Sequence, residues 1–327
     1  MERLFRKLID YLSDNEFKKF KSGFSHKLYD CLSSGYAEND NEVSLVTKLS
    51  ETINKTKYEN FSFYAEKIHG SRSYVEFNYR DKPTTKELAD MVIISSVSQG
   101  RDRIFQKIAF IQNKKDTNCN WQIDPEQLFL LKNFPTITGK KGIFTKSPEK
   151  EIIFHNYSKT LGNYGLFMNP GEMILAAASI VDSQKDNNKI CLNDFKNIGF
   201  ANNTNQAFLP FLLFDYHPFI DKLLHSYFRY FHHNGIIPSF GNSMPFLNNS
   251  MLSRDLFEFI DNWTFFNIGE PTIVNGNIVN NNLHSLSNAL LRASGLSEYI
   301  NLGDDNTQFT VSNNLIVSLM NLQIGKE

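Results

Sequence analysis

Two closely spaced apolar runs dominate the hydrophobic pattern between residues 86 and 115. The first, residues 88–94, is apolar at nearly every position, and the second, residues 104–114, places Ile108, Phe110, Gln112 and Lys114 at alternate positions. A continuous run of this length is typical of a strand covered on both faces, while a period of two places alternate residues on one face. The polar segment 95–103, which contains Gly100, predicts a hairpin connection between the two strands.

The polar residues of these runs are placed to meet. Gln112 and Lys114 leave the second strand on the same side, and Asp90 lies near the start of the first strand. If the strands are neighbours, Asp90, Gln112 and Lys114 converge on one site. Glu87 and Asp90 would face opposite sides of an unbroken strand, so both reach this site only if the chain bends between them. Pro83 favours a turn nearby.

This set of side chains predicts a metal-dependent phosphodiester-cleaving site. A hard cation such as Mg²⁺ or Mn²⁺ takes oxygen ligands, which Asp90, the amide of Gln112 and the backbone carbonyl of Asn113 can supply. Such a cation would polarise a phosphate and lower the pKa of a bound water. Lys114 would stabilise the negative charge that develops during cleavage. A neutral Gln112 in place of a carboxylate should weaken metal binding.

The motif resembles the PD-(D/E)xK phosphodiesterase superfamily, the restriction-endonuclease-like nucleases, in the Gln-x-Lys form of its Mrr-like members. The resemblance covers residues 60–140 and rests on the ELAD sequence ending at Asp90 and on the QNK sequence ending at Lys114. It implies a restriction-endonuclease-like mixed sheet flanked by helices, Mg²⁺-dependent cleavage of DNA, and a role in bacterial defence against foreign DNA. It also implies a second acid on a helix before the first core strand, for which Glu66 and Glu87 compete.

The remaining pattern divides the chain into three parts. Residues 1–56 are predicted to be helical, residues 57–170 to form the nuclease-like α/β core, and residues 171–327 to be mainly α-helical. The core is expected to begin with a helix that carries Glu66. A further helix at 124–134 has Asp124 as N-cap, and a capping box explains Gln127. The C-terminal helices are expected at 171–183, 207–231, 253–263 and 283–300.

Composition and charge restrict partners and location. With 327 residues, 41% of them hydrophobic, the chain can bury a full core, and its net charge of −1 gives no general attraction to nucleic acid. Any DNA-binding surface must therefore be local, as at Lys114 and Lys115 or in segment 139–146. Three cysteines in no zinc-like spacing favour a reducing, cytoplasmic location. Without an uncharged apolar run of transmembrane length, no membrane association is expected.

Other chemistries lack support in the sequence. No phosphate-binding loop, dinucleotide fingerprint or nucleophile elbow is present. Four histidines crowd residues 217–233 beside acidic residues, but their spacing is not that of a zinc site. An aromatic helix with histidines near its C-terminal end explains that segment better.

Three hypotheses remain open from the sequence. In the first, the protein is a Mg²⁺-dependent nuclease that acts alone, as a homo-oligomer or with an activating partner protein. In the second, it is a non-catalytic descendant of the nuclease fold that binds nucleic acid or a protein, and the neutral Gln112 supports this alternative. In the third, Gln112 and Lys114 are the polar end of a strand, Asp90 is a turn or capping acid, and the aromatic C-terminal half forms an oligomer interface.

Overall fold

The chain combines helices and strands, beginning with two helices and seven consecutive strands in the described residues. The computed structural model describes residues 10–11, 14–68, 74–140, 151–152, 160–196, 251–302 and 315–325. The helices in this part of the chain are α1 (Asn15–Ala37), α2 (Glu42–Ile53), α3 (Pro125–Asn133), α4 (Ala178–Gln184), α5 (Leu192–Lys196), α6 (Leu256–Thr264) and α7 (Asn281–Ala293), with a 3₁₀ helix at Leu296–Tyr299.

The strands form three sheets. They are β1 (Thr56–Tyr58), β2 (Phe61–Ile68), β3 (Tyr74–Tyr79), β4 (Lys82–Glu87), β5 (Met91–Gln99), β6 (Asp102–Lys115), β7 (Asn120–Gln122), β8 (Ile137–Gly139), β9 (Glu151–Ile152), β10 (Gly162–Met168), β11 (Glu172–Ala177), β12 (Lys189–Cys191), β13 (Leu252–Ser253), β14 (Glu270–Val274), β15 (Asn277–Ile278) and β16 (Leu315–Ile324). The large mixed sheet has the order β1-β2-β16-β5-β6-β10-β11-β13. A smaller sheet has the order β4-β3-β8-β9, and β7 pairs with β12.

Strand β6 organises the large sheet. One edge pairs antiparallel with β5, whereas the other pairs antiparallel with β14 near its beginning and parallel with β10 near its end. The parallel β10 follows a crossover that contains α3, as a parallel neighbour requires. On the far side of β5 lies β16, which is parallel to β5 and antiparallel to β2.

Each face of the large sheet is covered by helices. On one face the core includes residues of α1, α2 and α6, among them Phe17, Leu45 and Trp263. On the opposite face the core includes residues of α3, α4 and α7. Every residue of β5 from Met91 to Ser98 is therefore buried, which confirms the expectation of a strand covered on both faces.

Short polar side chains set the starts of the longer helices. Asp14 caps α1, Asn41 caps α2 and Asp124 caps α3, each by accepting a hydrogen bond from a backbone N–H of the first turn. These caps satisfy donors that have no partner inside the helix. The capped helix expected at 124–134 is confirmed, and its start fixes where α3 meets the sheet.

The hairpin is confirmed, but its connection is tighter than predicted. Serines and Gln99 of the polar segment continue β5, and β6 begins at Asp102, so that only Gly100 and Arg101 lie between the strands. Gly100 has a φ of 62°, which glycine adopts without steric cost. The serines are buried within the sheet, so polarity alone was a poor guide to the strand boundary.

The helix expected at the start of the core is wrong. Residues of this segment form β1 and β2, and Glu66 lies on β2. Phe61 and Phe63 face one core while Tyr64 and Ile68 face the other, which is the alternation of a strand. Strand β2 pairs with β1 and with β16, and these hydrogen bonds between strands replace those of the helix that was predicted here.

The mainly helical character expected for residues 171–327 is not confirmed. Its described residues include β11 to β16 as well as helices, and β16 lies between β2 and β5 in the large sheet. Segment 171–183 divides into strand β11 and helix α4, because the continuous apolar sequence of β11 pairs antiparallel with β10. The helices expected around 253–263 and 283–300 are confirmed as α6 and α7. The histidine-rich segment 207–231 lies outside the described residues.

Among the described residues, no helix combines the length and the apolar character needed to cross a membrane.

Gly162 allows α3 to pack against β10. A Cβ at Gly162 would lie 2.2 Å from the carbonyl oxygen of Leu131, and backbone cannot move aside as a flexible side chain does. We expect Gly162→Ala to lower the free energy of unfolding by about 2–4 kcal/mol, measured by urea denaturation.

The matched control is Gly23→Ala in α1, where nothing lies within 4 Å of the added Cβ. Since alanine favours helix over glycine, this variant should gain about 0.5–1 kcal/mol. Equal effects of both substitutions would contradict the packing of α3 on Gly162.

Candidate functional site

The site begins where β5 and β6 meet at the end of the hairpin. Met91 pairs with Ile111, and the backbone N–H of Asp90 donates to the carbonyl of Ile111, so Asp90 lies opposite Gln112. Nε2 of Gln112 donates to Oδ2 of Asp90, and the backbone N–H of Asn113 donates to the same oxygen at 2.7 Å. The expected meeting of Asp90 with Gln112 therefore occurs in the structure.

Helix α2 brings a further carboxylate to the end of β6. Glu42 is the first residue of α2, and its Oε2 accepts a hydrogen bond from the backbone N–H of Lys115 at 3.1 Å. Its Oε1 lies 3.6 Å from Nζ of Lys114. Glu42 therefore holds the lysine of the motif and the end of β6 together.

The small sheet supplies one wall of a cleft beside Gln112 and Lys114. Glu87 is the last residue of β4, and the chain then passes to the large sheet before β5 begins. This bend lets Glu87 and Asp90 serve the same region, as the sequence required. The open cleft has a volume of about 310 Å³ and is lined by Tyr74, Thr85, Lys86, Glu87, Gln112, Lys114, Asp124 and Gln127.

Burial and neighbouring charges make Asp90 a weak acid. Burial, together with the negative charges of Glu42 and Glu87, raises the pKa of Asp90 to about 7, although the N–H of Asn113 and the charge of Lys114 oppose this rise. Burial likewise raises the pKa of Glu42, against the effect of Lys114. The carboxylates thus exceed the positive charge available at the site.

The backbone of Asn113 faces the same region. The N–H and C=O of one strand residue point to the same edge, and the N–H of Asn113 points to Asp90, so its carbonyl also faces the Asp90 side. The side chain of Asn113 packs on the opposite side against Gly165, whose absent Cβ leaves it room. Asn113 can therefore contribute only its backbone oxygen here, as the sequence analysis expected.

Glu66 does not join this cluster. It lies on β2, which β16 separates from β5, and its Oε1 accepts a hydrogen bond from Nδ2 of Asn54 at 3.1 Å. The structure therefore brings Glu87, Asp90, Gln112 and Lys114 to one region and leaves Glu66 apart.

Two contributors were missed from the sequence. The acid that reaches the site from a helix before the first long strand is Glu42, and its signal was a helix start with Asn41 as cap and an acid in the first turn. Half of the expected capping box is present, because Oδ1 of Asp124 accepts a hydrogen bond from the backbone N–H of Gln127. The side chain of Gln127 donates through Nε2 to the carbonyl of Glu87 at 3.0 Å and so ties α3 to the cleft wall.

The donor set fits a hard cation only if amide oxygen takes part. Among the residues that the structure describes, no three His, Cys, Asp or Glu side chains form a group that could hold a metal ion. Yet Oε1 of Gln112 is buried and accepts no hydrogen bond within that part of the chain. An oxygen in this state, beside a carboxylate whose ionised form is disfavoured, suits a cation that prefers oxygen ligands.

No protein-family model, curated protein or solved structure matches the chain.

Asp90 should make the fold less stable as pH rises. Its folded-state pKa of about 7 exceeds the ordinary value of 3.8, so between these values the folded protein binds more protons than the unfolded chain. Stability therefore falls as pH rises through this window and levels off above it. Near pH 8 we expect the free energy of unfolding of Asp90→Asn to exceed that of wild type by about 1–3 kcal/mol. Near pH 4 we expect the two proteins to have similar free energies of unfolding.

Urea denaturation of both proteins across this pH range measures the difference. Glu42 titrates in both proteins, so the difference reports the ionisation of Asp90 together with its coupling to Glu42. An Asp90→Asn protein that is less stable than wild type near pH 8 would show that the carboxylate is stabilising in its ionised form.

Proposed function

We propose that the protein is a metal-dependent phosphodiesterase that cleaves nucleic acid, with its active site at the joined ends of β5 and β6. The observation that carries the proposal is the contact of Asp90 with the amide of Gln112, because Gln112 lines the cleft together with Lys114. These groups match the chemistry of the PD-(D/E)xK resemblance.

A Mg²⁺ or Mn²⁺ ion would be held by Asp90, Oε1 of Gln112 and the backbone carbonyl of Asn113, with Glu42 or Glu87 as second acid. When bound, such an ion polarises a phosphate and acidifies water. The cation would also favour the ionised form of Asp90, whose pKa is raised in its absence.

Lys114 is the residue that would meet the scissile phosphate. It lines the cleft, and Glu42 holds its ammonium group from behind. A lysine placed in this way can stabilise charge on a phosphate oxygen without having to be ordered during the reaction. Lys86 also lines the cleft, but it is paired with Asp124 at 2.6 Å and with Glu126 at 2.9 Å. Lys114 is therefore the better candidate.

The arrangement of elements supports the restriction-endonuclease-like fold within this proposal. A helix precedes the antiparallel strands, and a helical crossover leads from β6 to its parallel neighbour β10 in a mixed sheet flanked by helices. Glu42 begins a helix before the first core strand, which is where the resemblance implies a second acid. Strand β16, inserted between β2 and β5, comes from the distant C-terminal region.

The proposal takes DNA as the substrate and bacterial defence against foreign DNA as the setting. Both come from the resemblance, and the cytoplasmic location comes from the three cysteines, whose spacing favours a reducing compartment. The net charge of −1 requires that the phosphate backbone be attracted locally, and the lysines of the cleft are the available charges.

A second candidate function is a non-catalytic protein of the same fold that binds nucleic acid or a partner. It is favoured by one observation: the amide nitrogen of Gln112 already occupies Oδ2 of Asp90 and satisfies this carboxylate without a cation. The two candidates differ in whether Asp90 binds metal.

Cleavage assays separate these candidates. With Mg²⁺ or Mn²⁺ and plasmid or single-stranded DNA, we expect wild type to cut, and Asp90→Ala and Lys114→Ala to lose at least about a hundredfold in rate. Lys132→Ala is the matched control, because Lys132 pairs with Asp182 outside the cleft. Wild-type protein that binds DNA and never cuts it would favour the non-catalytic alternative.

The identity of the second acid can be tested in the same assay. Glu42→Gln should reduce cleavage and weaken Mn²⁺ binding measured by calorimetry, since it removes a charge next to Lys114. Glu66→Gln should change neither, because Gln can still accept the hydrogen bond of Asn54. The reverse pattern would return Glu66 to the site.

Gln112→Glu tests whether residue 112 is a cation ligand. A carboxylate here would face Asp90 and repel it, so we expect a lower melting temperature without metal. Millimolar Mg²⁺ should raise the melting temperature of this variant more than that of wild type, since the added charge strengthens cation binding. An equal response of both proteins to Mg²⁺ would place the cation elsewhere.

A further inference from the structure

Three neighbouring strands place polar side chains in one row across the large sheet. Asp90 at the start of β5 lies opposite Gln112 of β6, and Gln112 pairs in register with Tyr164 of β10. Paired residues of adjacent strands project from the same face, so Tyr164 projects from the face on which Gln112 meets Asp90. The hydrophobic neighbours of Tyr164 belong to the core on that face.

Gln112 and Tyr164 each bury a polar atom that lacks a partner. Tyr164 is 0% exposed, and neither its hydroxyl nor Oε1 of Gln112 forms a hydrogen bond within the described residues. Leaving a buried hydroxyl and a buried amide oxygen unsatisfied costs about 1–3 kcal/mol each. One of these atoms is a donor and the other an acceptor, so a single water can satisfy both.

Burial and the nearby negative charges keep the hydroxyl of Tyr164 protonated. Burial raises the pKa of Tyr164, and the negative charges of Asp124 and Asp90 raise it further. The phenol therefore remains a donor at all pH values at which the protein is studied.

We propose that Tyr164 is a positioning residue of the candidate site: through one bridging water, its hydroxyl donates to Oε1 of Gln112 and so keeps Nε2 of Gln112 on Asp90. An amide oxygen has two lone pairs, so this bond leaves one lone pair for a cation. A donor at the oxygen also polarises the amide and strengthens the bond from its nitrogen. Tyr164 thus sets which end of the Gln112 amide faces each neighbour.

This inference deepens the proposed function and rests on it only where a cation is assigned to the remaining lone pair of Oε1 of Gln112. It is tested on the full chain without metal and without nucleic acid. The side-chain NH₂ signals of glutamines are observed by ¹⁵N NMR, and Gln112 is assigned by their loss in Gln112→Met. The hydrogen exchange of this NH₂ group reports how firmly it is held on Asp90.

We expect Tyr164→Phe to raise the exchange rate of the Gln112 NH₂ group about fivefold to tenfold, with the backbone amides of β6 unchanged. The control is Tyr36→Phe, which removes another buried hydroxyl that has no hydrogen-bond partner among the described residues. The ring of Tyr36 lies under the ammonium group of Lys115. This variant should leave the exchange of Gln112 unchanged.

An unchanged Gln112 exchange rate in Tyr164→Phe, together with a raised melting temperature, would overturn the proposal, because the hydroxyl would then be buried without function. If Tyr164→Phe does not fold, the wild-type hydroxyl proton decides instead. It should exchange slowly and be lost from the spectrum in Gln112→Met, and rapid exchange in wild type would equally overturn the proposal. A protein that never cleaves DNA can still confirm this bond, and an active nuclease can still refute it.

Discussion

The pairing of β6 along both of its edges is the constraint on which the rest of the structure depends. With β5 on one edge and β14 followed by β10 on the other, β6 cannot shift its register without breaking its pairing with three strands. A shift by one residue would turn Gln112 away from Asp90 and bring the side chain of Asn113 to that face. The register of the hairpin thus determines the chemistry of the cleft, and the buried apolar residues of β5 and β6 determine the register.

This rigid end of the sheet holds groups that repel each other. Asp90, Glu42 and Glu87 interact with one another, and the first two have raised pKa values because burial and the neighbouring acids disfavour their charge. Lys114 and the backbone N–H groups of Asn113 and Lys115 offset part of this cost. Such clusters are found at functional sites more often than elsewhere, because packing alone gives no reason to assemble them.

What could be predicted from the sequence was local. The apolar runs gave β5 and β6, and their period placed Gln112 and Lys114 on one side of a hairpin that brings them to Asp90. Glu42 could not be found in this way, because it reaches the site through the packing of α2 against the end of the sheet. The position of β16 between β2 and β5 depends equally on contacts distant in sequence. Its largely apolar sequence is typical of a buried strand, but no local pattern states which strands it joins. Glu66 failed as a candidate for the same reason, since its distance from Asp90 depends on this inserted strand.

The neutral residue at position 112 follows from the balance of charge at the site. A glutamate there would face Asp90 directly, and the two carboxylates would repel each other where the ends of β5 and β6 are joined. Glutamine replaces that repulsion with a hydrogen bond, so the hairpin closes without a cation. The same exchange removes one negative charge from a metal site, and an amide oxygen binds a divalent cation less strongly than a carboxylate does. Glutamine at position 112 therefore favours the stability of the metal-free protein, at the expense of affinity for a metal ion at the proposed site. At the proposed site, a cation would therefore have to gain its affinity from the remaining acids, of which Glu42 is already engaged with Lys114 and with the backbone N–H of Lys115.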